Sequence, residues 1–312
     1  MKVKTEIGIK RGNANGEEVI RTISEDVQII DVNTQGLRPM AELASRHAQS
    51  CIYCDSRDQL SSEHIVPYAW GGTLQVHSGS CEVCRLITSA FENYALNDGA
   101  MAHVRKSIGL PSRSNHSSAK GAIEMALENR DGQALTIEVG TDVPAILGLP
   151  LFVRPGLLNG DGRRTALDLE GMAAVAFGAD QSAFMEGHSA AGAVQRESTK
   201  RVMAFARTIA KIAYCWAWRD GVIERIGRAR DLVDAFMHHP ESLGAFIGTK
   251  PPPYERYYGC QLRIEYKLSM PRQLVYLEVQ MFADTAAPTY EVVLGRVESI
   301  REWRNLCRSF CR

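Results

Sequence analysis

Two C-x2-C pairs, Cys51–Cys54 and Cys81–Cys84, constrain the folding of this chain more than any other feature. Each pair can grip one ion from a tight turn. The residues between them, 55–80, then form a small loop-rich unit that a shared metal closes. Four thiolates in this spacing are the ligand set of a structural, tetrahedral zinc site. Inside the loop lies Glu63-His64-Ile65-Val66-Pro67, which sets a carboxylate next to an imidazole. That places a candidate general base beside a candidate ligand for a second, harder metal.

The segment from Cys51 to Glu92 resembles the HNH endonucleases that carry a four-cysteine zinc clasp. The resemblance rests on Cys-Ile-Tyr-Cys at 51–54, Glu-His-Ile-Val-Pro at 63–67, Gly71-Gly72, Cys-Glu-Val-Cys at 81–84, and Thr88-Ser89 with Phe91-Glu92. It implies a ββα-metal module, a hairpin followed by a helix, that cradles a catalytic divalent ion. It also implies His64 as the residue that activates water and Glu63 as a ligand of that ion. Many proteins with this clasp place an asparagine directly after the last cysteine, whereas this chain has Arg85. A guanidinium repels a metal but can clamp a phosphate through its planar fork. Thr88, Ser89 and Glu92 follow on roughly the same helical face, and Glu92 is the substitute ligand expected from that spacing.

The chemistry can be argued from the residue types alone. Phosphodiester hydrolysis needs an activated water, charge stabilisation at phosphorus and help for the departing oxygen. A divalent ion supplies the last two, and a neutral histidine takes the proton of water. Histidine titrates close enough to neutrality to do so. Glu63 is a hard oxygen ligand suited to Mg2+ or Mn2+, while the thiolates suit Zn2+, so two metals with separate duties are expected. Pro67 is expected to end the strand that carries His64, and Gly71-Gly72 to turn the chain back.

Composition bounds the rest. At 312 residues the chain exceeds the zinc module alone, and its 45% hydrophobic and 23% charged residues suit a soluble globular protein. No apolar run suggests a membrane span or a signal peptide, so no membrane association and a cytoplasmic location are expected. The remaining cysteines, Cys215, Cys260, Cys307 and Cys311, read as free thiols in a reducing compartment. Lys plus Arg is 36 and Asp plus Glu is 36, so no global field draws a polyanion. Residues 99–123, however, contain no acid and include Arg105, Lys106 and Arg113. With Arg85 these are the candidate contacts to nucleic acid, DNA being the expected partner.

The expected architecture is α+β, a small zinc-bound ββα-metal (HNH) module plus a larger α+β domain with an antiparallel sheet. Residues 1–49 read as strands and a lead-in helix at 40–47, 50–98 as the module, 99–122 as a basic connector and 123–312 as the second domain. There, Lys200–Trp218 repeats apolar residues at helical spacing, and a helix is expected over 223–236. Runs at 261–268, 274–282 and 290–297 read as an antiparallel meander before a terminal helix at 299–311. An exposed meander edge allows a homodimer.

Three functional assignments fit: a metal-dependent DNA endonuclease, a non-catalytic zinc module that binds nucleic acid or protein, and a nuclease effector regulated by its C-terminal domain.

Overall fold

The computed structural model describes residues 2–10, 18–26, 45–96, 101, 103–105, 123–129, 131, 133–139, 145–160, 165–177, 186–187, 190–226, 229–258 and 261–310. In chain order these form strands β1 (Lys2–Lys10), β2 (Glu18–Asp26), β3 (Arg46–His47), β4 (Ser61–His64) and β5 (Gln75–Ser80), then helix α1 (Glu82–Leu96). Strands β6 (Ile123–Asn129), β7 (Ala134–Val139) and β8 (Ala145–Phe152), the short helix α2 (Gly156–Asn159), and strands β9 (Leu169–Phe177) and β10 (Ala190–Ser198) follow. Helices α3 (Thr199–Arg219) and α4 (Ala229–Met237), strands β11 (Ile247–Thr249), β12 (Leu262–Ser269), β13 (Leu274–Met281) and β14 (Thr289–Arg296), and helix α5 (Ile300–Phe310) complete the chain.

The fold is α+β with largely antiparallel sheets. The expected meander is present as β12-β13-β14, and β11 extends it at the β14 edge. A second sheet runs β2-β1-β10-β6-β7, with only the β1–β10 pair parallel. Strands β8 and β9 form a separate hairpin. The small sheet β3-β5-β4 carries the cysteine pairs on its flanks and leads directly into α1, so a hairpin followed by a helix does form here.

Two local expectations are corrected. Arg46 and His47 were expected in a helix and instead pair as a strand with Val76 and His77, parallel to β5. The helix expected over 223–236 is interrupted. A 3-10 turn covers Ile223–Arg225, Ile226 adopts extended backbone, and the α-helix begins only at Ala229. Residues 106–122, most of the expected basic connector, lie outside the described residues, as do 27–44.

Helix α3 positions everything that matters for the site. Ser198 caps it by accepting a hydrogen bond from the Arg201 amide at 3.2 Å. Its apolar repeat, Phe205, Ile209, Ile212 and Ala213, is buried as periodicity requires. The opposite side is buried as well: Thr208, Lys211 and Cys215 are all at 0% exposure. A helix buried on both of these faces needs cover on each. The meander and α4 supply one side, and the cysteine module with α1 supplies the other.

The join is continuous. Trp70 of the module meets Phe205 of α3 with ring centroids 6.0 Å apart, and Phe205 meets Tyr290 of β14 at 5.3 Å. Both pairs stack edge to face, the favoured arrangement for aromatic quadrupoles. Tyr290 in turn donates to the Pro150 carbonyl of β8 at 3.0 Å. Phe205 therefore ties three elements through one ring. Phe205→Ala is expected to lower unfolding free energy by about 3–5 kcal/mol. Denaturant titration should show a reduced midpoint for module and meander together, whereas separate transitions would mean that the two fold independently.

Candidate functional site

The two cysteine pairs converge because each sits at a forced bend. Cys51 accepts at its carbonyl from the Asp55 amide at 2.9 Å, closing a turn in which Asp55 takes a positive φ of 61°. Cys81 precedes the first residue of α1, and its carbonyl accepts from Arg85 N–H at 2.9 Å. The four Sγ atoms of Cys51, Cys54, Cys81 and Cys84 lie within 4.8 Å of one another. Tetrahedral thiolate coordination sets sulfur–sulfur distances of about 3.8 Å, so the cluster can hold a metal ion with little movement.

Burial pushes the thiols of Cys51 and Cys84 above the ordinary cysteine range. Cys81 moves the other way, because backbone and thiol hydrogen bonds, from Cys84 first, outweigh its burial. A bound cation would reverse the upward shifts by stabilising thiolates. Cys54 alone of the four is exposed.

Between the pairs, the sequence Ile65-Val66-Pro67 leaves strand β4, and a 3-10 turn at Tyr68–Trp70 returns the chain. Gly71 takes φ 80°, and a Cβ at Gly72 would meet the Val66 carbonyl oxygen at 2.1 Å. Only glycine fits this return, as the Gly-Gly pair suggested.

Strand alternation then separates Glu63 from His64. Glu63 faces inward and is 5% exposed, while His64 is half-buried at the strand end. The His64 ring lies edge-on to Tyr68, centroids 6.0 Å apart, and its Nε2 is 3.0 Å from Gln75 Nε2 on β5. With the Gln75 amide donating, Nε2 accepts and the neutral ring carries its proton on Nδ1.

Behind the strand, Glu63 and Glu92 do come together, but on Lys211. The Lys211 Nζ is 2.7 Å from Glu63 Oε1 and 2.9 Å from Glu92 Oε1, and it also donates to the His64 carbonyl. Burial would strip the ammonium of its proton, yet the two carboxylates outweigh burial and hold its pKa above the usual lysine value. The neighbouring Cys215 thiol is pushed up to about 12, chiefly by burial, and stays neutral.

Two further contacts dock the module on α3. The Tyr214 hydroxyl donates to the Ile52 carbonyl at 2.6 Å, and the Tyr53 hydroxyl lies 3.2 Å from Cys215 Sγ.

The expected divalent ion does not fit these residues. Carboxylate oxygens and a carbonyl are the right donors for Mg2+ or Mn2+, which bind oxygen at about 2.1 Å. Here those donors surround a fully buried ammonium, and an ion bridging them would have to occupy its place. In this structure Glu63 and Glu92, the expected ligands of a catalytic metal, are ion-pair partners of Lys211.

The expected nucleic-acid contacts divide. Arg85 forms a bidentate pair with Glu82, at 2.9 and 2.6 Å, and keeps a partly exposed side chain. Arg105 is buried, with Nη1 donating to the Leu96 carbonyl at 3.3 Å, so it belongs to no exposed basic strip. Lys106 and Arg113 lie outside the described residues. Lys211, Gln75 and Tyr214 had no part in the sequence-based site. The one available signal was a lysine inside the apolar run Ile209-Ala210-Lys211-Ile212-Ala213.

Purified protein is expected to carry one metal ion per chain on the cysteine cluster. Cys84→Ser should abolish that stoichiometry in elemental analysis and lower the melting temperature. Full metal content in this variant would mean that the ion sits elsewhere.

No protein-family model, curated protein or solved structure matches the chain, so any assignment of function stands on the residues of this site.

Proposed function

We propose that this chain is a zinc-clasped nuclease of the HNH type that hydrolyses phosphodiester bonds in DNA, with His64 as the general base. The observation that carries the proposal is the orientation of the β4 strand end. Its inward residue, Glu63, is locked against α3, while the adjacent His64 alternates to the other face and stays half-buried. An imidazole held by a rigid main chain next to a metal-capable cluster suits a base that must meet a water at fixed geometry. Soft thiolates favour zinc over magnesium or manganese for that cluster, and a reducing cytoplasm keeps them available.

In the proposed reaction a neutral His64 removes the proton of a water as the water attacks phosphorus, the P–O bond to the sugar oxygen breaks, and the departing oxygen takes a proton from solvent. The Gln75 amide first yields Nε2 to that water, since a base needs its lone pair free. Arg85, partly exposed on α1, is the described cation suited to a phosphate oxygen. A divalent ion would supply Lewis acidity in the family's scheme, but the Glu63–Glu92 oxygens are engaged by Lys211. With equal numbers of acidic and basic residues over the whole chain, binding to DNA should be weak and fall steeply with salt.

A second assignment, a non-catalytic zinc module that binds nucleic acid or protein, is favoured by one observation: Lys211 occupies the point on which the two acids converge. Cleavage separates the two. His64→Ala is expected to reduce plasmid cleavage by about a hundredfold or more while leaving metal content and circular dichroism unchanged. Equal cleavage by wild type and variant would remove His64 as the base. An inactive wild type that still shifts DNA in a gel would favour the binding module.

A further inference from the structure

We infer that Lys211 is the resident cation of the Glu63–Glu92 site, and that its ammonium cross-links β4, α1 and α3 where a ββα-metal module would use a divalent ion. Three oxygens from two elements face one nitrogen: Glu63 Oε1 and the His64 carbonyl from β4, and Glu92 Oε1 from α1. The ammonium donates to the His64 carbonyl, and the two carboxylates face it as ion-pair partners. The arrangement is a cation seat in donor type and in convergence, and the cation is built into the chain.

The seat cannot be vacated cheaply. Lys211 lies at 0% exposure on a helix whose neighbours Ile209, Ile212 and Cys215 are also at 0%. A divalent ion entering between the acids would either stand against the ammonium, cation on cation in a dry site, or drive it into apolar surroundings. Lys211 lowers the charge of the two carboxylates from two negative to one.

Lys211 also restrains the end of β4. By gripping the His64 carbonyl and the carboxylate of the preceding residue, it fixes the main chain from which the imidazole projects. This inference is independent of whether His64 cleaves DNA, because it concerns cation binding alone.

The test is a Mn2+ titration of full-length, metal-loaded protein, with free Mn2+ followed by electron paramagnetic resonance. Wild type and Glu92→Gln are expected to behave alike, with no saturable Mn2+ uptake. Lys211→Ala, which opens the seat, is expected to bind one Mn2+ at least about tenfold more tightly than wild type and to gain thermal stability from it. The double variant Lys211→Ala/Glu92→Gln should lose both effects. Saturable uptake of one Mn2+ by wild type that Glu92→Gln abolishes would overturn the inference. So would a folded Lys211→Ala protein that takes up no Mn2+. If Lys211→Ala does not fold, the comparison of wild type with Glu92→Gln still decides.

Discussion

An ammonium with no access to water, matched to two carboxylates, is the constraint around which the rest of this molecule is arranged. Bringing Lys211, Glu63 and Glu92 out of solvent is costly, and only their mutual attraction and good geometry offset it. Such a cluster therefore contributes little net stability when whole, yet removing one partner from a buried pair costs about 3–5 kcal/mol. Its value lies in discrimination. Only one docking of the cysteine module on α3 satisfies all three charges, and any slip of β4 by one residue would turn Glu63 to solvent and leave Lys211 buried without compensation.

The cysteine cluster and the lysine act on opposite sides of the same short hairpin. One gathers the turn before β4 and the start of α1, and the other pins the end of β4 to α3. Between them, His64 projects from backbone that is restrained at both ends. Precision of this kind is normally expensive on a loop-rich unit, because fixing each residue costs conformational entropy. Here the strand is only four residues long, and two clamps suffice.

Much of this was legible in the residues, and what was missed follows from particular physics. Paired cysteine spacing announces a shared metal because few other arrangements require it. The meander was visible because alternating and β-branched runs at 261–297 are separated by turn formers, and α3 because its apolar residues recur at helical period. Periodicity, however, identifies one buried face and leaves the other to solvent by default. Lys211 was hidden for that reason, since nothing local says that the far side of α3 is covered. Glu92 was expected beside Glu63, and the two do meet, on the ammonium of a lysine distant in sequence. Arg105 misled because a basic run free of acids says nothing about which of its members face inward. Arg46 and His47 were lost to a parallel pairing of two residues, too short to leave a pattern.

The exposure of Cys54 gives the cysteine cluster a vulnerable side. Three of its sulfurs are shielded by the hairpin and α1, and only this one meets the solvent. Oxidants, competing thiols and chelators must therefore approach from the first turn, and disassembly of the clasp would begin there. The β4 strand end would then lose its outer restraint while the lysine still held the inner one, leaving the imidazole tethered but no longer aimed.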